Sequence, residues 1–170
     1  MRGSVTNQRG MTLAEIIIAV AIIGVGLIAL SSAIPISAYG IQEGNQLSTA
    51  TFLANQRMEQ ARNARWVATD RATGLPVDKL GVSASGTAAP VGDAGVTTFP
   101  DESPVAAPYT GYTRTVRISD CSVAPGCSGI ASASLRQVTV TVSYRPMTGI
   151  GVGAAGSTKS ATLTMYMTKR

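Results

Sequence analysis

The sequence predicts an α+β protein in which a long bent N-terminal helix, a transmembrane half followed by an amphipathic half, packs on a small antiparallel β-sheet. Three observations predict it. An unbroken apolar run lies near the start, a three- and four-residue periodicity follows it, and two-residue alternation fills the C-terminal third. At 170 residues the chain has room for one domain plus an appendage. Only 14% of residues are charged, against roughly 25% in ordinary soluble chains, so some apolar surface is expected to meet something other than water. With no histidine and two cysteines, His-based acid–base catalysis, Cys/His zinc sites and Ser-His-Asp triads are excluded by inventory.

Residues 1–10 are polar, with Arg2 and Arg9 as their only charges. From 11 to 34 the only ionisable side chain is Glu15. As a helix, those positions would reach about 36 Å, enough for a hydrocarbon layer of about 30 Å. The positive-inside rule would hold the two arginines in the cytoplasm and place the remainder outside. Pro35 lacks an N–H and disfavours helix before it, so the helix is expected to kink or stop there. A kink is favoured, because over 35–66 the periodicity resumes: Leu47, Ala50, Ala54, Met58 and Ala61 form one stripe among polar positions, a pattern extending to Trp66.

Five of the eight prolines fall in 67–111, which therefore reads as a long connecting loop that carries a binding surface or stays mobile. The last segment, 112–170, reads as three strands: 112–119, 135–145 and 160–168. Val138, Val140, Val142 and Tyr144 share one face of the second; Ala161, Leu163, Met165 and Met167 share one face of the third. One apolar face per strand implies one covered sheet, and the helix stripe is the natural cover. Cys121 and Cys127 bracket a short loop that a disulfide would close in an oxidising compartment, with free thiols as the alternative. Gly151, Gly153 and Gly156 spell a dinucleotide fingerprint, yet a strand follows rather than a helix, so a glycine-rich hairpin connection is the expected reading.

An acid just inside a membrane helix is a functional hypothesis that requires a partner. The alternative leaves Glu15 at the headgroups, satisfied by water and the helix dipole. The stretch from Arg9 through Gly10, Met11, Thr12, Leu13, Ala14 and Glu15 into the apolar run resembles the cleavage and methylation signal of type IV prepilins and type II secretion pseudopilins. The resemblance implies leader cleavage between Gly10 and Met11, N-methylation of Met11, and a filament-assembly role for Glu15 in pairing with the α-amine of a neighbouring subunit. Gly24 and Pro35 resemble the helix-loosening positions of such pilins, although Pro35 stands a few positions later than in many major subunits. Met at the first mature position and the stretch LANQRMEQAR look more like minor pilins or minor pseudopilins. The implied function is that of a non-enzymatic structural subunit of a type IV pilus, of the minor class, with a secretion pseudopilin as the alternative. Its implied partners are other pilin or pseudopilin subunits, the prepilin peptidase, an inner-membrane assembly platform and, before assembly, lipid. The implied location is the cytoplasmic membrane and then a pilus or pseudopilus; no cofactor or metal is implied.

Three rival readings remain open. A secretory signal cut near Ser37-Ala38, or a plain signal anchor, would leave a non-pilin outer domain. A pI of about 9.6 with Arg57, Arg62, Arg65 and Arg71 suggests nucleic acid, but Glu59 and Asp70 lie among them and a solvated helix face is expected. Asp70, Asp78, Asp93, Asp101 and Glu102 lack calcium-loop spacing and are expected to be solvated loop carboxylates.

Overall fold

The computed structural model describes residues 10–122, 127–146 and 157–170, with only the backbone of Ile36. Arg2, Arg9, the interior of the Cys121–Cys127 loop and Gly151, Gly153 and Gly156 lie outside the described residues. The element order is α1 (Leu13–Asn63), β1 (Trp66–Val67), β2 (Val77–Asp78), β3 (Val82–Ser83), β4 (Pro90–Val91), β5 (Tyr112–Asp120), β6 (Leu135–Tyr144) and β7 (Lys159–Thr168). Residues up to Ile41 and those from Gln42 onward form two compact units.

The 51-residue α1 begins in the first unit and continues through Pro35 rather than stopping there. Proline removes one donor from the ladder, and nearby serines supply others: the hydroxyls of Ser31, Ser32 and Ser37 donate to the carbonyls of Leu27, Ala29 and Ile34, each at 2.8 Å. Those bonds also leave no hydroxyl proton bare toward an apolar medium.

In the second unit, β5, β6 and β7 form an antiparallel meander in the order β5-β6-β7. Both ladders are continuous, nine register pairs for β5–β6 and ten for β6–β7, so alternation places every second side chain on the core face without a slip. Val116 and Ile118 of β5, Val138, Val140, Val142 and Tyr144 of β6, and Ala161 of β7 meet Ala50, Leu53, Ala54, Met58 and Ala61 of α1. The alanines let the helix approach closely; Leu53, at 1% exposed, fills the space between them. Leu47, expected in the stripe, is exposed, and Leu53 takes the core role one position before Ala54. The helix ends at Asn63, short of the expected Trp66, because the chain turns there. Ala64 N–H bonds the Ala61 carbonyl at 3.1 Å, and Trp66 enters β1 opposite Asp78.

Segment 67–111 is more ordered than a plain connecting loop. It contributes β2 through β4, a 3-10 turn at Asp93–Gly95, and the core side chains Leu80, Phe99 and Val105. Two glycines make this compaction possible. Gly81 has φ +77°, and a Cβ on Gly92 would lie 2.3 Å from the Asp78 carbonyl oxygen.

The loop carboxylates are not freely solvated either. Arg114 and Arg136 lie in phase with the buried valines of their strands, and loop acids meet their heads. Glu102 accepts from Arg114 Nε at 2.8 Å and also bonds Arg57, whose head stands 5.9 Å from the Phe99 ring centre. Asp78 accepts from Arg136 at 2.7 Å, and the Arg136 guanidinium stacks 4.2 Å over the Trp66 ring. Arg117 holds Asp101 with two bonds, at 2.6 and 2.8 Å, and Arg65 holds Asp70 at 2.6 Å. Burial lowers the Arg57 pKa, and the Arg114 charge beside it adds to that.

Candidate assembly site at the helix start

The first turn of α1 is built by four residues, Thr-Leu-Ala-Glu. Thr12 precedes the first helical residue and its carbonyl accepts the first helical bond, from Ile16 N–H, at 3.3 Å. Its hydroxyl oxygen accepts from Glu15 N–H at 3.3 Å, while Glu15 Oε2 accepts from Thr12 N–H at 2.9 Å. The Thr12 hydroxyl also donates to Glu15 Oε2 at 3.0 Å. This reciprocal arrangement is a capping box, which satisfies two donors that a helix start otherwise leaves bare. The carboxylate also faces the positive end of the helix dipole.

Glu15 is satisfied locally by its own turn, and it stands at the head of the apolar run. One oxygen, Oε2, takes both Thr12 bonds, and Oε1 accepts from no described residue. The role of Thr12 was not anticipated, although the T-x-x-E spacing before an apolar run is its sequence signature. Gly10 and Met11 are exposed beside this turn, and nothing lies within 4 Å of where a Gly10 Cβ would stand.

Beyond the turn the helix is apolar on every side. Twelve large side chains between Leu13 and Ile34 are 46 to 76% exposed. At roughly 1.5–3 kcal/mol for each such side chain removed from water, leaving them wet would cost on the order of 20 kcal/mol or more. That exceeds the roughly 5–15 kcal/mol by which a typical domain is stable, so lipid or other helices must cover them. α1 is long and apolar enough to cross a membrane. Gly24 lies inside this stretch with open space around its Cα, and Pro35 lies one residue beyond its end.

The remaining site residues lie in the second unit. Cys121 and Cys127 are joined by a disulfide, with their Cα atoms 4.9 Å apart, and both are buried. Backbone bonds from Cys121 to Leu135 and Ser132, and between Cys127 and Ile130, tie this ring to the β5–β6 connection. Among the described residues no group of three or more acidic or cysteine side chains is placed to hold a metal. The basic residues along and just after the helix have carboxylate neighbours: Arg57 meets Glu102, Arg62 meets Glu59 at 2.9 Å, and Arg65 meets Asp70. That arrangement leaves little of a phosphate-binding stripe.

Residues 5–31 match the family described as the prokaryotic N-terminal methylation motif, the prepilin-type signal of type IV pilins and pseudopilins. No curated protein and no solved structure matches the chain.

Proposed function

We propose that this chain is a structural subunit, of the minor class, of a type IV pilus, assembled through its N-terminal helix after the leader is removed between Gly10 and Met11. The observation that carries this reading is the methylation-type signal at 5–31 placed directly on a helix whose apolar surface is covered by nothing among the described residues. A leader peptidase would cut at the exposed Gly10–Met11 bond and create an α-amine at Met11, where methylation would follow. The chain would sit in the cytoplasmic membrane with its C-terminal domain outside. It would then leave lipid as its helix packed against those of sister subunits on an assembly platform.

Glu15 gives that transfer its register. The amine of a neighbouring subunit would approach Oε1, the oxygen that Thr12 leaves free. Two unit charges about 4 Å apart gain several kcal/mol at an effective dielectric near 20. The capping box would keep the acid satisfied until that partner arrives, so insertion and assembly need not compete. Gly24 and Pro35 would let the helix adjust as it packs, and the disulfide would pin the β5–β6 connection outside the cell. A secretion pseudopilin would use the same parts.

The test is Glu15→Gln. Membrane insertion and leader removal should persist, while the amount of protein recovered in sheared filaments should fall at least about tenfold, the equivalent of about 1.4 kcal/mol. Recovery at the unsubstituted level would refute the pairing.

A further inference from the structure

β7 is the outer strand of its sheet, and among the described residues its far edge is bare over most of its length. The opposite edge of the sheet is covered at Tyr112, Arg114 and Ile118. Glu102 and Arg114 exchange both backbone bonds at 2.9 Å, Val105 N–H donates to the Tyr112 carbonyl at 2.8 Å, and Ile118 N–H donates to the Ser83 hydroxyl at 3.0 Å. The direction of each β7 backbone group follows from the strand's last bonds. Lys169 N–H donates toward β6, to the Ser134 carbonyl, whereas Arg170 bonds on the other side, to Trp66 and Ala68. These directions alternate along a strand. The N–H and C=O groups of Ser160, Thr162, Thr164 and Tyr166 therefore point away from β6, and none has a hydrogen-bond partner among the described residues.

Natural sheets blunt such edges by shortness, proline or bulges. β7 uses none of these: it has ten residues, no proline or glycine, and an unbroken register with β6. The surfaces flanking this edge differ. Thr162 and Thr164 are exposed on one face, whereas Leu163, Met165 and Met167 on the other are only partly buried and continue the core. A groove of about 260 Å³ beside the edge is lined by Arg62, Met165, Tyr166, Met167, Thr168 and Arg170.

We propose that the β7 edge docks one extended strand of a partner protein, with apolar residues toward Leu163 and Met165 and acidic residues at its end near Lys169. Only extended backbone can satisfy four outward residues that alternate donor and acceptor along one line. Charge selects the partner's ends. Lys169 and Arg170 are exposed and have no carboxylate partner among the described residues, and Arg62 stands at the groove between them and the helix. A second copy's β7 is a poor occupant, because antiparallel self-pairing centred on Thr164 would bring Lys159 against Lys169. The inference stands on the C-terminal unit and does not depend on how the N-terminal helix assembles.

The experiment uses the full chain in detergent micelles and a fluorescent synthetic peptide of alternating valine and threonine, capped by aspartates or, as comparison, by lysines. The aspartate-capped peptide should bind, and the lysine-capped one should bind at least about tenfold more weakly, a difference of about one unit in log Kd. Thr164→Pro removes an outward donor and places a ring on the docking side while leaving the bonds to β6 intact, so it should weaken binding at least about tenfold. Amide exchange provides the second measurement, free of any substitution: bound peptide should slow exchange at Thr162, Thr164 and Tyr166. Three results would overturn the proposal: no binding of the aspartate-capped peptide, unchanged exchange at these amides, or a β7-mediated dimer of the chain that excludes the peptide.

Discussion

Replacing Glu102 with glutamine tests how the loop, the helix and the sheet are locked together. The Glu102 carboxylate serves two cations at once, bonding Arg57 and taking Nε and a terminal nitrogen of Arg114 at 2.8 and 2.5 Å. Those arginine side chains are 13 and 7% exposed, so neither can recover water without opening the core. Arg114 would keep its bonds to the Leu53 carbonyl and Gln56, both 3.0 Å, and Arg57 would keep Gln60 at 2.7 Å. What disappears is the only negative charge the pair shares among the described residues, leaving two like charges close together. Breaking one side of a buried pair costs about 3–5 kcal/mol. Glu102 is 26% exposed, and screening there brings the expectation to about 3 kcal/mol. For a chain of this size that lowers the midpoint of thermal unfolding by about 6–12 °C. The single tryptophan, Trp66, is buried in the core and reports the transition by fluorescence. Glu59→Gln is the control, because its partner Arg62 is exposed and the loss should be within about 0.5 kcal/mol. A midpoint for Glu102→Gln within about 2 °C of the unsubstituted chain would refute the claim that this carboxylate locks the domain.

Two further outcomes are expected. Replacing Cys121 and Cys127 together with serine opens a loop with a sequence separation of 6, and the loop-entropy relation gives a loss of about 2 kcal/mol, measurable by thermal melting and matched by adding a reductant. Acid sensitivity should come from the loop aspartates. Burial pushes the Asp78 carboxyl up, but its hydrogen bonds from Arg136 and the Gly81 and Leu80 backbone pull harder, so it lies below the ordinary 3.8. The bonds from Arg117 hold Asp101 low in the same direction. A carboxyl depressed in the folded state stabilises above its unfolded pKa, and that contribution is lost as pH falls through the folded value. Midpoints should therefore hold from neutrality to about pH 5 and decline below about pH 4, and Asp78→Asn should be less stable at neutrality with a shallower acid decline.

The long elements were legible because each carries many repeats of its own period. β6 was expected at 135–145 and spans Leu135–Tyr144; β7 was expected at 160–168 and spans Lys159–Thr168. The parts that escaped are those whose information is not periodic. A two-residue strand such as β3 has no period to detect, and its pairing with β4 depends on glycines whose need is visible only once the Asp78 carbonyl is in place. Arg114 and Arg136 were hidden for a different reason. They stand in phase with Val116 and Val138, yet a charged side chain on a strand carries no sign of burial until the folded loop brings Glu102 and Asp78 to it. At the helix start the acid was legible as an anomaly in an apolar run. Its Thr12 partner was equally legible as a T-x-x-E signature, but Glu15 was weighed as a membrane residue rather than as the third residue of a helix cap.

The central claim is that the leader is removed to create an amine at Met11, and that this amine is what Glu15 serves. Intact-mass and N-terminal fragment analysis of the protein recovered from membranes tests it most directly. The expected result is a chain that begins at Met11 and carries a methyl group on its α-nitrogen. A mature chain that begins at Met1, or one cut near Ser37-Ala38, would contradict the account.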